Sequence, residues 1–425
     1  MYRKLLIGLL CSYSISAVAQ ERPVGPPLPI VLHHADSFSG RQSDSGEVQE
    51  LTGNVWLQQG NAVLRCGSAI QYLQTGFIIL RHNVRIEQGD LRITAPVITY
   101  DPTIGMAKAE RGAEVTQRHR TIRSQWAAYD IPRQELLFFT GVSYADDTVR
   151  LWTDSLRYFR RTEQAQAWGG LYVESLFHRV KAEADSFLYS PAEGWLLLSG
   201  NALLQQWNGT DSSASSRWLS AATVVLSQRS GVTQLTASGS ATLFQDTLLA
   251  AQAERLLWER SPEVLVLGGN PVLWYGTAEM IGDSVYATMN TGQLRALSLF
   301  GQARLRIHTP FPARTHQLQA DSILLQQEAD SLTTLIASGN ARSLYCHRSA
   351  DGMPEGLFRH SADRIELSFL HDSLLQARWL GSVYGEYAPE SLVAERFSEW
   401  SLPGMAWQHE RPQRPRWRHR HRWLP

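Results

Sequence analysis

The chain has 425 residues, with 40 basic and 40 acidic side chains that cancel at neutral pH. Only 19% of the residues are charged and 43% are hydrophobic, which excludes a disordered chain and a nucleic-acid binder of the usual basic kind. Gln, Ser, Thr, Leu and aromatic residues are plentiful while Lys is almost absent, a composition suited to extended chain rather than to surface helix.

At the N-terminus, Arg3-Lys4 precede an apolar run from Leu5 to Ile15, and Ala17-Val18-Ala19 supplies a small-x-small site before Gln20. This is the layout of a secretory signal peptide over 1–19, so the mature chain is expected to begin near Gln20 in an exported compartment. Cys11 follows Leu9 and Leu10, which are not the small residues that lipoprotein processing needs. No later stretch of about eighteen apolar residues occurs, so a soluble or peripheral mature protein is expected. Cys66 and Cys346 fall in an early and a late part of the chain, and free, half-buried thiols are expected of them. Residues 20–45 carry Pro23, Pro26, Pro27 and Pro29 and then a Ser/Asp/Gly-rich run, and read as a linker. His33-His34 have no Cys or carboxylate partners at fixed spacing and read as solvated side chains, with no metal site and no cofactor expected.

From residue 46 to about 400 the chain repeats itself. Thr52-Gly53-Asn54-Val55-Trp56-Leu57 is followed by a run ending at Ile70-Gln71-Tyr72. Then come His82-Asn83-Val84-Arg85-Ile86 and a run ending at Ile98-Thr99-Tyr100. Apolar and polar side chains alternate with a period of two, the signal of a strand with one buried face. Opening glycines recur at Gly53, Gly112, Gly141, Gly170, Gly200, Gly239, Gly269, Gly301, Gly339 and Gly381, with His82-Asn83 filling the second slot; most intervals are 29 to 32 residues, the three longer ones carry insertions, and together they define about eleven units. The second phrase returns as Ala127-Ala128-Tyr129, Leu156-Arg157-Tyr158, Phe187-Leu188-Tyr189, Leu256-Leu257-Trp258 and Ser284-Val285-Tyr286. Its first and third residues share a strand face, which is apolar in nearly every copy while the middle residue varies freely. Val55/Leu57, Val84/Ile86, Ala202/Leu204, Ala241/Leu243 and Leu305/Ile307 give the same face of the opening strand. Asp154-Ser155, Asp185-Ser186, Asp283-Ser284 and Asp321-Ser322 recur in one slot. A nucleophilic serine would occur once with a partnered histidine, so this slot reads as a device that turns the backbone. No catalytic residue is expected.

Leu51-Thr52-Gly53-Asn54-Val55, Ser199-Gly200-Asn201-Ala202-Leu203-Leu204, Ser338-Gly339-Asn340-Ala341 and the Ala184-Asp185-Ser186-Phe187-Leu188-Tyr189 phrase resemble the OstA/LptA family of periplasmic lipopolysaccharide-transport bridges. They are similar also to the N-terminal domain of LptD. The resemblance implies an all-β, elongated, open-edged β-jellyroll (a β-taco) whose apolar interior carries lipid A acyl chains passively toward the outer membrane. On that reading the groove lining comprises Val55, Leu57, Ile70, Tyr72, Val84, Ile86, Ile98, Tyr100, Tyr129, Leu156, Tyr158, Phe187, Tyr189, Leu204, Leu256 and Trp258. The implied partners are lipopolysaccharide and LptC-like and LptD-like jellyrolls joined by strand addition, or a second copy head to tail, with no nucleic acid. Physical chemistry is compatible with this role: burying an acyl chain of about a dozen methylenes gains roughly 10 kcal/mol. Near-equal sites along a repeat then let the chain move with little net change, and no nucleotide-binding loop is present to drive it.

After Trp407 the chain alternates Arg411, Arg414, Arg416, Arg418, Arg420 and Arg422 with Pro, Trp and His. Residues 401–425 are therefore expected to be a disordered basic tail, able to contact an anionic membrane surface. Two readings of the whole stay open: a lipid-transport bridge, and a structural or adhesive exported β-solenoid whose inward residues fill a dry core.

Overall fold

The computed structural model describes residues 29–418, apart from 44–45, 176, 178, 208–215, 230–231, 246–247, 261, 291–292, 311–313, 328–331, 350, 371–372 and 407–408. The signal-peptide reading of 1–19 and the end of the tail, 419–425, lie outside the described residues. The fold is almost entirely β, as the alternating pattern requires, and every strand pairing is antiparallel within two compact units, 1–204 with 417–425 and 205–416.

In the first unit the chain meanders through strands that each pair with the next. They include Gly46–Gln59, Ala62–Tyr72, Ile78–Gln88 and Leu91–Asp101, then Glu135–Ala145, Arg150–Phe159, Gln164–Ser175 and Val180–Ser190. Between these two sets the strands are split: Leu91–Asp101 pairs with both Met106–Ala109 and Ala113–Gln117, and Glu135–Ala145 with both Arg120–Ser124 and Trp126–Asp130. The second unit repeats the plan from Ser216–Arg229 to Tyr384–Pro389.

Each long strand is broken in the middle by a corner, and the corner is what the repeated glycine encodes. Thr52 and Val55 lie three residues apart but face Ser68 and Cys66, two apart, so the glycine-bearing strand carries one extra residue. Two successive residues there have positive φ: Gly53 (77°) with Asn54 (45°), Gly200 (75°) with Asn201 (50°), Gly339 (80°) with Asn340 (48°). Asn is the side chain that tolerates this region best after glycine, which is why the phrase reads Gly-Asn. At Gly141 the glycine fills the second position and Thr140 (φ 64°) the first, so no Asn follows it.

The Asp-Ser slot completes the corner. The carboxylates of Asp36, Asp185, Asp283, Asp321 and Asp363 lie over Gly53, Gly200, Gly301, Gly339 and Gly381, where a methyl group would sit 2.0–2.4 Å from a carboxylate oxygen. Asn201 and Asn340 donate side-chain hydrogen bonds to Asp185 (2.8 Å) and Asp321 (3.2 Å). The slot therefore turns the backbone rather than attacking a substrate.

Inside the bend the residues of the second unit are small, whereas the first unit also places Val55, Val84, Val142 and Leu171 there. Ala241 faces Ala253, Ala303 faces Ala320 and Ala341 faces Ala362 across adjacent strands, and all six are buried. Away from this crease the inward residues grow: Leu80, Phe138, Leu198, Leu226, Leu243 and Leu267 are each no more than 2% exposed. Small residues let two backbones converge at the crease while larger ones fill the widening space between the walls.

Three sequence expectations need correction. Residues 30–34 and 37–43 are not linker but strands, paired with Gly46–Gln59 on its other side. The signal overlooked is Asp36-Ser37, a further copy of the corner slot, whose Asp36 amide donates to the carbonyls of Thr52 and Gly53. These strands escape an alternation test because they form an edge, with Ile30, Val31, Leu32 and Phe38 all exposed. The second correction concerns Tyr286, which is 45% exposed while Val285 and Ala287 are buried. Counting from Asp283, the inward positions are the second and fourth, and the aromatic arrives one residue early.

The third concerns the C-terminus, whose described part is ordered against the sheet. Helical turns Glu390–Val393 and Phe397–Trp400 lead to a cluster in which Val393, Leu402 and Met405 bury Leu344, Cys346, Leu357 and Ala388. Arg314 forms a two-pronged ion pair with Glu390. Further on, Arg411 donates to the Gly276 carbonyl (3.0 Å) and Arg414 stacks over Trp218. In the first unit, Trp417 meets Tyr172 edge-on at 5.7 Å and the Arg418 amide donates to Glu183. A basic segment stays ordered here because its arginines find carbonyl, carboxylate and aromatic partners on the outer face of the strands.

Candidate functional site: an apolar interior with a polar mouth

Val55, Leu57, Ile70, Val84, Ile98, Tyr129, Leu156, Phe187, Leu204 and Leu256 are all buried, and Ile86, Tyr72, Tyr100, Tyr158, Tyr189 and Trp258 are half-buried. None of these sixteen groove-lining candidates is exposed, whereas Tyr286, read inward from the second phrase, is. Leu256 and Trp258 belong to the second unit and the others to the first. The half-buried aromatics stand at strand ends, farthest from the crease, where the interior is least covered.

The two walls meet at that mouth. Strand Leu91–Asp101 has eleven residues, enough to hold its ends roughly 35 Å apart if straight. Yet Tyr100, at one end, hydrogen-bonds Gln59, which belongs to the opposite end of the neighbouring strands. Arg120 reaches Tyr158 in the same way (3.5 Å), and in the second unit Arg217 lies 5.0 Å over the Trp258 ring. Only a sheet folded at its corners brings these ends together. Burial raises the Tyr100 and Tyr158 hydroxyls above the ordinary tyrosine range, so both stay neutral donors and acceptors at physiological pH.

A denser polar knot in the first unit was not legible in the sequence. Tyr144 donates to Asp146 (2.7 Å), Arg120 sits 3.8 Å from Glu163, and Arg160 donates to the Tyr129 hydroxyl (2.8 Å). Burial would lower the Arg120 guanidinium, but Tyr144, Tyr158, Glu163 and Asp146 around it outweigh that and raise it, so it stays charged. No spacing rule marks Arg120, because its partners come from strands far apart in the chain.

His316 lies on the inward face of the second unit, stacked on Tyr345 at 4.7 Å and accepting the Cys346 amide at Nδ1. Burial, with Arg348 nearby, lowers it from 6.5 to about 4. The folded state thus favours the neutral ring. Its contribution is complete above pH 6.5 and is lost as pH falls toward 4, by about 3 kcal/mol at 1.36 kcal/mol per unit. Urea unfolding at pH 7 and pH 4 should show the native chain losing that much more than His316→Gln; equal losses would refute the assignment.

Cys66 and Cys346 are free and fully buried, more so than expected, and burial pushes both thiols up to about 11. Among the described residues no group of three or more His, Cys, Asp or Glu is placed to hold a metal ion, and no helix is long and apolar enough to cross a membrane.

Residues 29–174 match the family described as OstA-like protein. Among solved structures the chain is similar to LptH, the LptA homologous periplasmic component of the conserved lipopolysaccharide transport device from Pseudomonas aeruginosa. Identity is 14%, with 25% of this chain and 81% of that one covered at a TM-score of 0.24. No curated protein matches the chain.

Proposed function

We propose that this chain is a periplasmic bridge that passively conducts lipopolysaccharide toward the outer membrane, with the acyl chains held in its apolar interior; the match of residues 29–174 to the family described as OstA-like protein supports this reading. The observation that carries this reading is the graded interior: a buried crease, aliphatic walls, and strand ends of half-buried aromatics bridged by single polar contacts. A structural core has no need of a side that opens. Each such contact costs little to break, about 0.5–1.5 kcal/mol, whereas an acyl chain entering behind it gains roughly 0.8 kcal/mol per methylene.

The wider repeat region, 46–400, supports the same reading beyond the matched segment, since the corner of positive-φ residues recurs through Gly381-Ser382. Edge strands favour partners of the same kind. Ile30–His34 and Ser37–Ser43 in the first unit, and Ser373–Leu380 in the second, pair on one side only among the described residues and leave Val31, Phe38 and Leu375 exposed. Strand addition by an LptC-like or LptD-like jellyroll, or by a second copy, would cover them. The described part of the tail is engaged with the protein itself, so membrane contact would have to come through its remaining arginines.

The test is a photo-cross-linking amino acid placed in cells at Ile98 or Tyr100, with Tyr286 as an outward control. Lipopolysaccharide should be captured at the first two positions and not at the third; capture at none, or equally at all three, would end the proposal. A second expectation concerns the mouth. Replacing Tyr100 and Tyr158 together by Phe should cost about 1–3 kcal/mol of stability and speed the uptake of a fluorescent fatty acid severalfold. Unchanged uptake would deny those contacts a gating role.

A further inference from the structure

On the outer face of the first unit, where Arg65 and Arg85 project opposite to the inward-facing Val84, lies a cleft of about 640 Å³. It reaches down to Val84, Ala95 and Ala113, three buried residues just beyond the corners, where one strand carries an extra residue. Its rim carries Arg65, Arg85, Arg111, Asn83 and Thr94.

The charge around this cleft is unbalanced. Arg65 and Arg85 are direct cross-strand partners, an arrangement in which like charges repel and destabilise a sheet. Several outward arginines of this chain are matched with carboxylates, among them Arg306 with Glu279 and Arg157 with Glu135. Here the one lining carboxylate, Glu114, is already held by Arg123 at 2.6 Å. Among the described residues Arg65, Arg85 and Arg111 form no ion pair; Arg65 only rests over the Trp56 ring, 5.5 Å from its centre.

We propose that this cleft binds a phosphate-bearing anion, taken between the Arg65, Arg85 and Arg111 guanidiniums with Asn83 as a neutral donor. The guanidinium fork matches phosphate oxygens two at a time. A dianion would offset the repulsion between Arg65 and Arg85, and the volume suits a small phosphorylated molecule or headgroup rather than a bare monovalent ion. The site stands on the outer face and does not depend on what the interior carries.

The experiment is a thermal-shift titration with sodium pyrophosphate against sodium chloride at matched ionic strength, beside flotation with phosphatidic acid or phosphatidylcholine vesicles. Arg85→Gln should melt above the native chain in chloride, because the repulsion is gone, and should bind pyrophosphate at least tenfold more weakly. Arg85→Lys keeps the charge but loses the fork, and should weaken binding by less. Arg92→Gln, which removes an exposed arginine already paired with Glu87, should bind as the native chain does. Pyrophosphate binding without flotation assigns a free anion; flotation on phosphatidic acid alone, lost in Arg85→Gln, assigns a lipid headgroup. Absence of both, or an Arg92→Gln loss as large as that of Arg85→Gln, would overturn the proposal.

Discussion

Gly200→Ala is expected to lower the unfolding free energy of this protein by about 2–4 kcal/mol. Two costs combine. Gly200 has φ 75°, where an alanine costs roughly 1 kcal/mol relative to glycine. The new methyl would also stand 2.4 Å from Asp185 Oδ2, an overlap of the kind that costs about 1–3 kcal/mol to relieve. The carboxylate has little room to retreat while it accepts the Asn201 side chain at 2.8 Å.

The coupling gives a sharper test than the size of the effect. In the native chain Asp185→Ala removes a hydrogen bond and should destabilise by about 1 kcal/mol, whereas in the Gly200→Ala background it removes the clash and should restore stability. Urea unfolding of the four variants measures that reversal. Additive effects would mean that the carboxylate does not brace the corner. Gly141→Asn is the companion expectation: the second corner position accepts Asn elsewhere, nothing lies within 4 Å of the added Cβ, and the change should stay within about 0.5 kcal/mol.

Phe138→Ala should cost about 3–5 kcal/mol, because the ring is wholly buried between Ala127 and Leu156 of the adjoining strands. Its functional content lies in what happens when dodecanoate is added. If the interior is a lipid path open at the mouth, the long chain can lie in the space vacated with its carboxylate outside. A ligand at a hundred times its dissociation constant would then recover about 2.7 kcal/mol. If the interior is the dry core of a solenoid, a charged amphiphile has no route in and the loss stands. Thermal unfolding of the variant with and without dodecanoate separates the two readings.

Much of this architecture is written locally, and that part was legible. Alternation identifies inward residues because a strand presents successive side chains to opposite faces, and Val55, Ile98, Leu156 and Phe187 are indeed buried. Gly-Asn marks each corner because few residues adopt two consecutive positive-φ conformations. Where one signal stands for another the sequence misleads: the aromatic ring of Tyr286 suggests an inward position that its distance from Asp283 denies, and the polarity of residues 30–43 masks the strand corner that Asp36-Ser37 marks.

By itself the amino-acid order determined that this protein is β throughout, that its strands turn at repeated corners, and which face of each strand is apolar; all three are set by backbone conformation and neighbours a few residues away. Only the folded chain decided that Arg120 meets Tyr158, that Tyr100 meets Gln59, that Arg65 and Arg85 share an outer cleft without a carboxylate of their own, and that the arginines at 411 and 414 are spent on the protein's own surface. Those encounters join residues from different strands or from opposite ends of the chain, so they depend on pairing register and on the crease that folds one wall over the other. No window of sequence contains that geometry.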